Sequence, residues 1–203
     1  MAHMPILLDL TNKSIVIIGG GAIAERRVNK LMQFDAYITV MSPTLTAKLQ
    51  KLYEQQQIQW LAQDYSIHQL PPAALVVVAT NNKAVNRMVK QELPQQTLLN
   101  MASDSEQGDV VFPGILKRGK LSISVSTSGA SPKLTTAILA ELQQQFPPDY
   151  EQYVDFLYTC RQQIKQSNIS HAEQQKLLAT VLDDKYQYKQ FQQQLLSWLA
   201  ENI

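Results

Sequence analysis

Apolar positions change their spacing along the chain, and the changes mark out its parts. From Ser14 to Asn100, short apolar runs rich in β-branched residues alternate with stretches whose apolar positions recur at helical spacing. Ser14–Ile18, Tyr37–Met41, Ile58–Leu61, Leu75–Ala79 and Thr97–Asn100 read as strands. Ala22–Gln33, Thr44–Gln55 and Lys83–Glu92 read as helices. In the first helix, Ala22, Ile23, Val28, Leu31 and Met32 form one apolar stripe. Leu75–Ala79 has no polar position, as expected of a strand covered on both faces. Strands separated by helical lengths predict a parallel sheet with right-handed crossovers.

Beyond residue 109 the pattern changes. Val110–Phe112 and Leu116–Lys117 read as short β pieces, Arg118-Gly119-Lys120 as a hairpin tip, and Leu121–Ser126 as a strand with one wet face. From Ser131 the chain reads as helix, with Ser131 as N-cap and Pro132 in the first turn. Pro147-Pro148 ends that helix, and Asp149–Gln166, Ser170–Leu182 and Asp184–Ala200 follow. Ser170 and Glu173 have capping-box spacing. The expected organisation is 4–109, 110–147 and 148–203.

The bend between the first strand and the first helix reads Gly19-Gly20-Gly21-Ala22-Ile23-Ala24, a G-x-G-x-x-A pattern. Gly19 permits a tight strand exit. Gly21 lets a pyrophosphate approach the backbone, and Ala24 lets the helix sit close to the sheet. The helix N-terminus offers amides and a partial positive charge. Gly19, Gly20, Gly21, Ala22 and Ile23 are therefore candidate dinucleotide-binding residues in a Rossmann-type sheet. The second strand ends in Met41-Ser42-Pro43, where a ribose-binding acid is usual. Ser42 and Pro43 take its place, and no arginine stands there to select a 2′-phosphate. Thr80 and Asn81 leave the fourth strand's carboxyl end and face the nicotinamide half in this reading.

Composition narrows the function classes. The chain has 203 residues, enough for one sizeable domain or two small ones. Its net charge of +1 gives no global field for nucleic acid or an anionic membrane. No apolar run reaches transmembrane length and no secretory signal opens the chain. Met1-Ala2-His3 reads as a cloning remnant before a natural start at Met4. The one cysteine, Cys160, forms no internal disulfide, which fits a cytoplasmic setting. With His3 set aside, His68 and His171 are isolated, so no metal site is expected.

Ile17–Arg27, Val76–Asn82 and Val125-Ser-Thr-Ser-Gly-Ala-Ser-Pro132, with Asn100–Asp104 and Phe112-Pro113, resemble the precorrin-2 dehydrogenase (siroheme synthase) family. The resemblance runs from about residue 6 to the C-terminus. It implies an NAD-binding Rossmann domain (4–109), a dimerisation segment (110–147) and a helical domain (148–203). It also implies a cytoplasmic homodimer that uses NAD⁺ to oxidise precorrin-2 to sirohydrochlorin on the route to siroheme. Some members also insert Fe²⁺, but stand-alone chains of this length often only dehydrogenate. The family often has Asn-Val-Val-Asp, its Asp serving as acid/base group. Here Ser103 takes that place and Asp104 falls one residue late.

Asp104 is then the first candidate base, with Ser103 beside it and Asp109 in reserve. The substrate carries several carboxylates. Asn100, Ser126, Ser128, Gly129 and Ser131 are its candidate contacts, with Thr127 in the same turn. Two alternatives stay open: a bifunctional dehydrogenase/ferrochelatase, and a non-catalytic NAD-sensing module favoured by the missing Asp at position 103.

Overall fold

A computed structural model describes residues 3–203. Met1 and Ala2, assigned above to a cloning remnant, lie outside the described residues. The chain falls into two compact units that divide between Phe112 and Pro113.

The first unit is a parallel sheet of β1 (Ser14–Ile18), β2 (Tyr37–Met41), β3 (Gln59–Leu61), β4 (Leu75–Val78) and β5 (Leu98–Met101). Its order is β3-β2-β1-β4-β5, so the chain reverses direction across the sheet between β1 and β4. The connecting helices are α1 (Ala22–Leu31), α2 (Ala47–Glu54) and α3 (Lys83–Glu92). Successive strand residues serve opposite faces. Ile15, Ile17, Val40, Leu75 and Val77 pack with Ala24, Val28 and Leu31 of α1 and Leu49 of α2. Val16, Ile18, Met41, Val76 and Val78 pack with Val89 of α3 on the other face. The apolar run Leu75–Val78 is buried throughout because helices cover both faces.

Val110–Phe112 is not a strand: the chain from Gly108 to Val110 instead seals the outer edge of β5. Asp109 and Val110 both donate to the Leu99 carbonyl, at 2.7 and 3.0 Å. The Asp109 carboxylate accepts from the Leu99 amide at 3.1 Å, and Asn100 Nδ2 donates to Val110 O at 2.7 Å. The strand's exposed edge groups are thus satisfied without a sixth strand. Phe112 packs on the α1 side of the core, beneath the Arg27 guanidinium at 4.9 Å.

The second unit begins with β6 (Gly114–Arg118) and β7 (Leu121–Val125), an antiparallel pair. Gly119, at φ +56°, is the first residue of their two-residue turn, as a tight hairpin requires. Alternation holds in β7, where Leu121, Ile123 and Val125 are half-buried and the serines exposed. Then come α4 (Pro132–Gln145), α5 (Tyr150–Gln166), α6 (His171–Thr180) and α7 (Lys189–Asn202). The α5–α7 core is Tyr153, Phe156, Cys160, Ile164, Val181, Tyr186 and Leu199. Ser131 caps α4, and Ser170 with Glu173 closes the expected capping box on α6. Asp184–Ala200 is not one helix. It breaks at Tyr188 between a 3₁₀ turn and α7, with Gln192 Nε2 donating to the freed Tyr186 carbonyl at 2.8 Å.

Candidate active site

The glycine bend assigns each glycine its own reason. Gly19 leaves β1 at φ +111°, and a β-carbon there would lie 2.6 Å from the Ala79 carbonyl oxygen. Gly20 lies directly against the Thr44 carbonyl and the Ser42 hydroxyl, so it has no room for a side chain. Its own carbonyl accepts from the Thr46 amide at 3.0 Å. Gly21 is the N-cap of α1, and a β-carbon there would meet nothing within 4 Å. No side chain caps α1. Ala22 is exposed, Ile23 half-buried and Ala24 fully buried against the sheet. An uncapped helix start beneath open space fits a phosphate-bearing ligand.

Beside the bend, Ser42 is buried and its hydroxyl donates to the Thr44 carbonyl at 2.8 Å. Trp60 Nε1 donates to Ser42 O at 2.8 Å, and Pro43 is exposed. A carboxylate from α1 reaches this loop. Glu25 accepts from Thr46 Oγ1 at 2.8 Å and pairs with Lys48 at 3.0 Å. Lys48 first, and then Thr46, hold its carboxyl below the usual range. Of the two arginines after the bend, Arg26 is exposed and Arg27 half-buried.

A cavity of about 530 Å³ opens at the carboxyl ends of β4 and β5. Thr80 and Asn81 line it from the β4 exit, and Lys83, Asn86 and Arg87 from α3. Met101, Ser103, Asp104 and Gln107 line it from the β5 exit. It adjoins the glycine bend, because Gly19 packs on Ala79 and Thr80. Thr80 Oγ1 accepts from the Asn82 amide at 2.9 Å, and the Asn82 side chain caps α3 by accepting from Ala84 and Val85. Asn86 Nδ2 donates to Thr80 O at 3.2 Å, while its Oδ1 is buried without a partner among the described residues.

Ser103 and Asp104 are both exposed at this cavity. Asp104 Oδ1 accepts from the Glu106 amide at 3.1 Å and Oδ2 from Gln107 Nε2 at 2.8 Å. Each oxygen keeps a second lone pair. Asn100 lies inside β5, 2% exposed, its Oδ1 buried and without a partner among the described residues. Asp109 serves the β5 edge. Sequence reading missed Lys83, Asn86, Arg87 and Gln107. The available signal was a Lys/Arg pair four residues apart, at the start of the helix leaving a central strand's carboxyl end.

In the second unit, the Ser126–Ser131 turn is largely satisfied by its own groups. Ser128 and Gly129 have φ of +49° and +86°. Ser126 Oγ accepts from the Ser128 amide and Thr127 Oγ1 from the Ser131 amide, both at 3.2 Å. Thr127 O accepts from the Ala130 amide, and Ser131 Oγ from the Leu134 amide. Arg118, read above as part of the hairpin tip, donates from Nε to the Phe146 and Pro147 carbonyls at 2.8 and 3.0 Å. Lys120 lies over the Tyr158 ring at 4.4 Å. Burial pushes the Cys160 thiol up to about 11. Among the described residues, no group of three or more His, Cys, Asp or Glu is placed to hold a metal ion. Nor is any helix among them long and apolar enough to cross a membrane.

Family models match three consecutive parts of the chain. They are a putative NAD(P)-binding model over residues 6–114, a sirohaem biosynthesis protein central model over 118–145, and a SirC C-terminal domain model over 150–195. The precorrin-2 dehydrogenase of Priestia megaterium is 38% identical over 89% of this chain and 90% of its own length. That of Bacillus subtilis (strain 168) is 35% identical over 78% of this chain and 98% of its own length. The siroheme synthase of Actinobacillus pleuropneumoniae serotype 3 is 30% identical over 81% of this chain, but over only 34% of its own greater length. A solved structure of SirC, precorrin-2 dehydrogenase, covers 98% of this chain and 100% of its own with a TM-score of 0.85 at 35% identity. A Rossmann-type sheet with an open, uncapped glycine bend, an antiparallel hairpin and C-terminal helices thus stands with these matches: the chain belongs to the precorrin-2 dehydrogenase family.

Proposed function

We propose that this chain oxidises precorrin-2 to sirohydrochlorin with NAD⁺. One observation carries the reading. The open glycine bend adjoins a polar cavity at the carboxyl ends of β4 and β5, beside the point where the sheet order reverses. The chain around it is 38% identical to a precorrin-2 dehydrogenase over nine-tenths of that protein.

The amides from Gly21 to Ile23 hold the pyrophosphate, supported by Gly19 and Gly20, which let the bend close on its neighbours. Ser42 and Pro43 border the adenosine side, where no arginine follows β2 to receive a 2′-phosphate; this supports NAD⁺ over NADP⁺. Thr80 and Asn81 flank the nicotinamide half. When bound, the cofactor supplies the hydride acceptor. The protein's part is to hold the tetrapyrrole and take a ring proton. Asp104 is the base: it is exposed at the cavity, fixed by Glu106 and Gln107, and has free lone pairs. Ser103 lies beside it as a hydroxyl donor, and Asn100 supports the strand behind them. Ser126, Ser128, Gly129 and Ser131 form a further substrate contact. The 110–147 segment makes a homodimer, 4–109 is the NAD-binding domain and 148–203 the helical one. The enzyme works in the cytoplasm.

The test is to mix the protein anaerobically with precorrin-2 and either NAD⁺ or NADP⁺, and to follow sirohydrochlorin by absorbance. Fast conversion with NAD⁺ is expected. No conversion with either dinucleotide, despite measurable dinucleotide binding, would leave the sensing reading in its place. A clear preference for NADP⁺ would overturn the cofactor assignment.

A further inference from the structure

We infer that Lys83 and Arg87 of α3 form the carboxylate-binding wall of the cavity and set its affinity for the acidic side chains of a tetrapyrrole. The inference rests on the dehydrogenase reading above and adds to it the cations that the substrate meets.

Both residues line the cavity. They stand four apart on α3, so their side chains leave the same helix face as neighbours. Neither has an ion-pair partner among the described residues, unlike Lys48, which pairs with Glu25, and Lys185, which pairs with Asp183. Asp104 shares the cavity without pairing with either cation; its oxygens accept from the Glu106 amide and Gln107 Nε2, each keeping a second lone pair. Glu92, on the same helix, accepts from the Tyr65 hydroxyl at 3.2 Å. Two cations without ion-pair partners among the described residues therefore line the cavity, beside the residue proposed as base.

Their backbone is held in place. Thr80 Oγ1 binds the Asn82 amide, Asn82 caps the helix, and Asn86 ties the first turns of α3 to Thr80 O. Asn86 lies between the two cations in sequence and is only 8% exposed, so the helix start has little freedom to swing. A cation pair on an anchored helix end loses less on ordering than one on a loop. The cofactor's phosphates have their own seat at the α1 N-terminus. That leaves the α3 cations to the other reactant, which bears carboxylates. Arginine meets a carboxylate through two parallel N–H bonds, and lysine meets a second as a point charge. A cavity of about 530 Å³ is the size of a small-molecule site.

The experiment compares wild type with Lys83→Gln, Arg87→Gln and the double variant in anaerobic steady-state assays, with NAD⁺ affinity measured separately by calorimetry. In the double variant, KM for precorrin-2 should rise about tenfold and lose most of its salt dependence, as expected for charge pairs at a wet rim. The NAD⁺ dissociation constant should move less than about twofold, and the exchange Arg87→Lys with Lys83→Arg, which keeps both charges and one guanidinium, should lose less than the double glutamine variant. An unchanged KM for precorrin-2 in a folded double variant overturns the inference while leaving the dehydrogenase standing. So does an equal weakening of NAD⁺ binding, which would move the cations to the cofactor. Failure of wild type to oxidise precorrin-2 at all is a different result, and it removes the reading beneath.

Discussion

Gly19 and Ala79 are in contact so close that a β-carbon on the glycine would lie 2.6 Å from the alanine's carbonyl oxygen. At the same bend, a β-carbon on Gly21 would meet nothing within 4 Å. The two positions should therefore fail in different ways. Gly19→Ala combines a positive φ with a backbone clash and is expected to cost about 2–4 kcal/mol of stability. Gly21→Ala should fold with a melting temperature within about 2 °C of wild type, because the protein leaves that space free. Its NAD⁺ affinity should fall by about tenfold or more, since the methyl group occupies the phosphate's approach. Gly21→Asp adds negative charge and should abolish activity. Calorimetric titration beside thermal melts separates these outcomes. Wild-type NAD⁺ affinity in Gly21→Asp would remove the phosphate from this bend.

Asp104 and Asp109 differ in the same way. Asp104→Asn keeps the shape and an acceptor for the Glu106 amide but loses the base. The turnover number should fall about 10²–10⁴-fold, with NAD⁺ affinity held. Asp109→Ala strips the partner from the Leu99 amide on the sheet edge and should cost about 1–3 kcal/mol of stability. Activity loss in Asp109→Ala that exceeds its loss of folded protein, with Asp104→Asn active, would exchange the two roles.

Much of the first unit was legible because its strands carry their burial in their composition. Leu75–Val78 is apolar throughout because helices cover both faces, and β1 and β2 begin and end where the sequence pattern puts them. Val110–Phe112 misled because its apolar residues fill the α1 side of the core from an irregular segment. Gly108 and the Asp109 carboxylate make that edge seal, and nothing local distinguishes a residue that pairs by its side chain from one that pairs by its backbone. The glycine bend was readable as a motif, but the separate reason for Gly20 lies in Thr44, twenty-four residues on. Lys83 and Arg87 were missed for the opposite reason. Cations on a helix are usually solvated, so their spacing at the start of α3 was a weak signal until the cavity gave it meaning.

Cys160 yields a prediction with a definite sign. Burial raises its thiol to about 11, against about 8.5 for a free cysteine. The folded state therefore holds the proton more tightly than the unfolded state. The associated stability is fully present below about pH 8.5 and is lost as pH rises through about 11. Cys160→Ala lacks this titration, so the gap between its stability and that of wild type should narrow between pH 8 and pH 10.5. Tyr65 and Tyr153 are also raised by burial, but both proteins share them. At pH 8 the native thiol should resist aromatic disulfide reagents until denaturant is added. Rapid labelling of native protein would contradict its place in the α5–α7 core.

Arg118 closes the end of α4, and its geometry distinguishes it from a generic surface cation. Pro147-Pro148 prevents the helix from continuing, which leaves terminal carbonyls without partners. The guanidinium Nε donates to both the Phe146 and Pro147 carbonyls, while Nη1 donates to the Lys117 carbonyl at 2.9 Å. One planar group thus ties the β6 end to the α4 end. Arg118→Met keeps most of the stem and removes every donor, so it should cost about 1–3 kcal/mol, or several degrees of melting temperature. Arg118→Lys restores the charge but not the fork, because a single ammonium cannot reach carbonyls on two sides of a planar group. It should recover less than about half of the loss, in high salt as in low, since the partners are neutral carbonyls rather than carboxylates. Full recovery by lysine, or a loss that disappears in high salt, would mean that charge rather than geometry holds this corner.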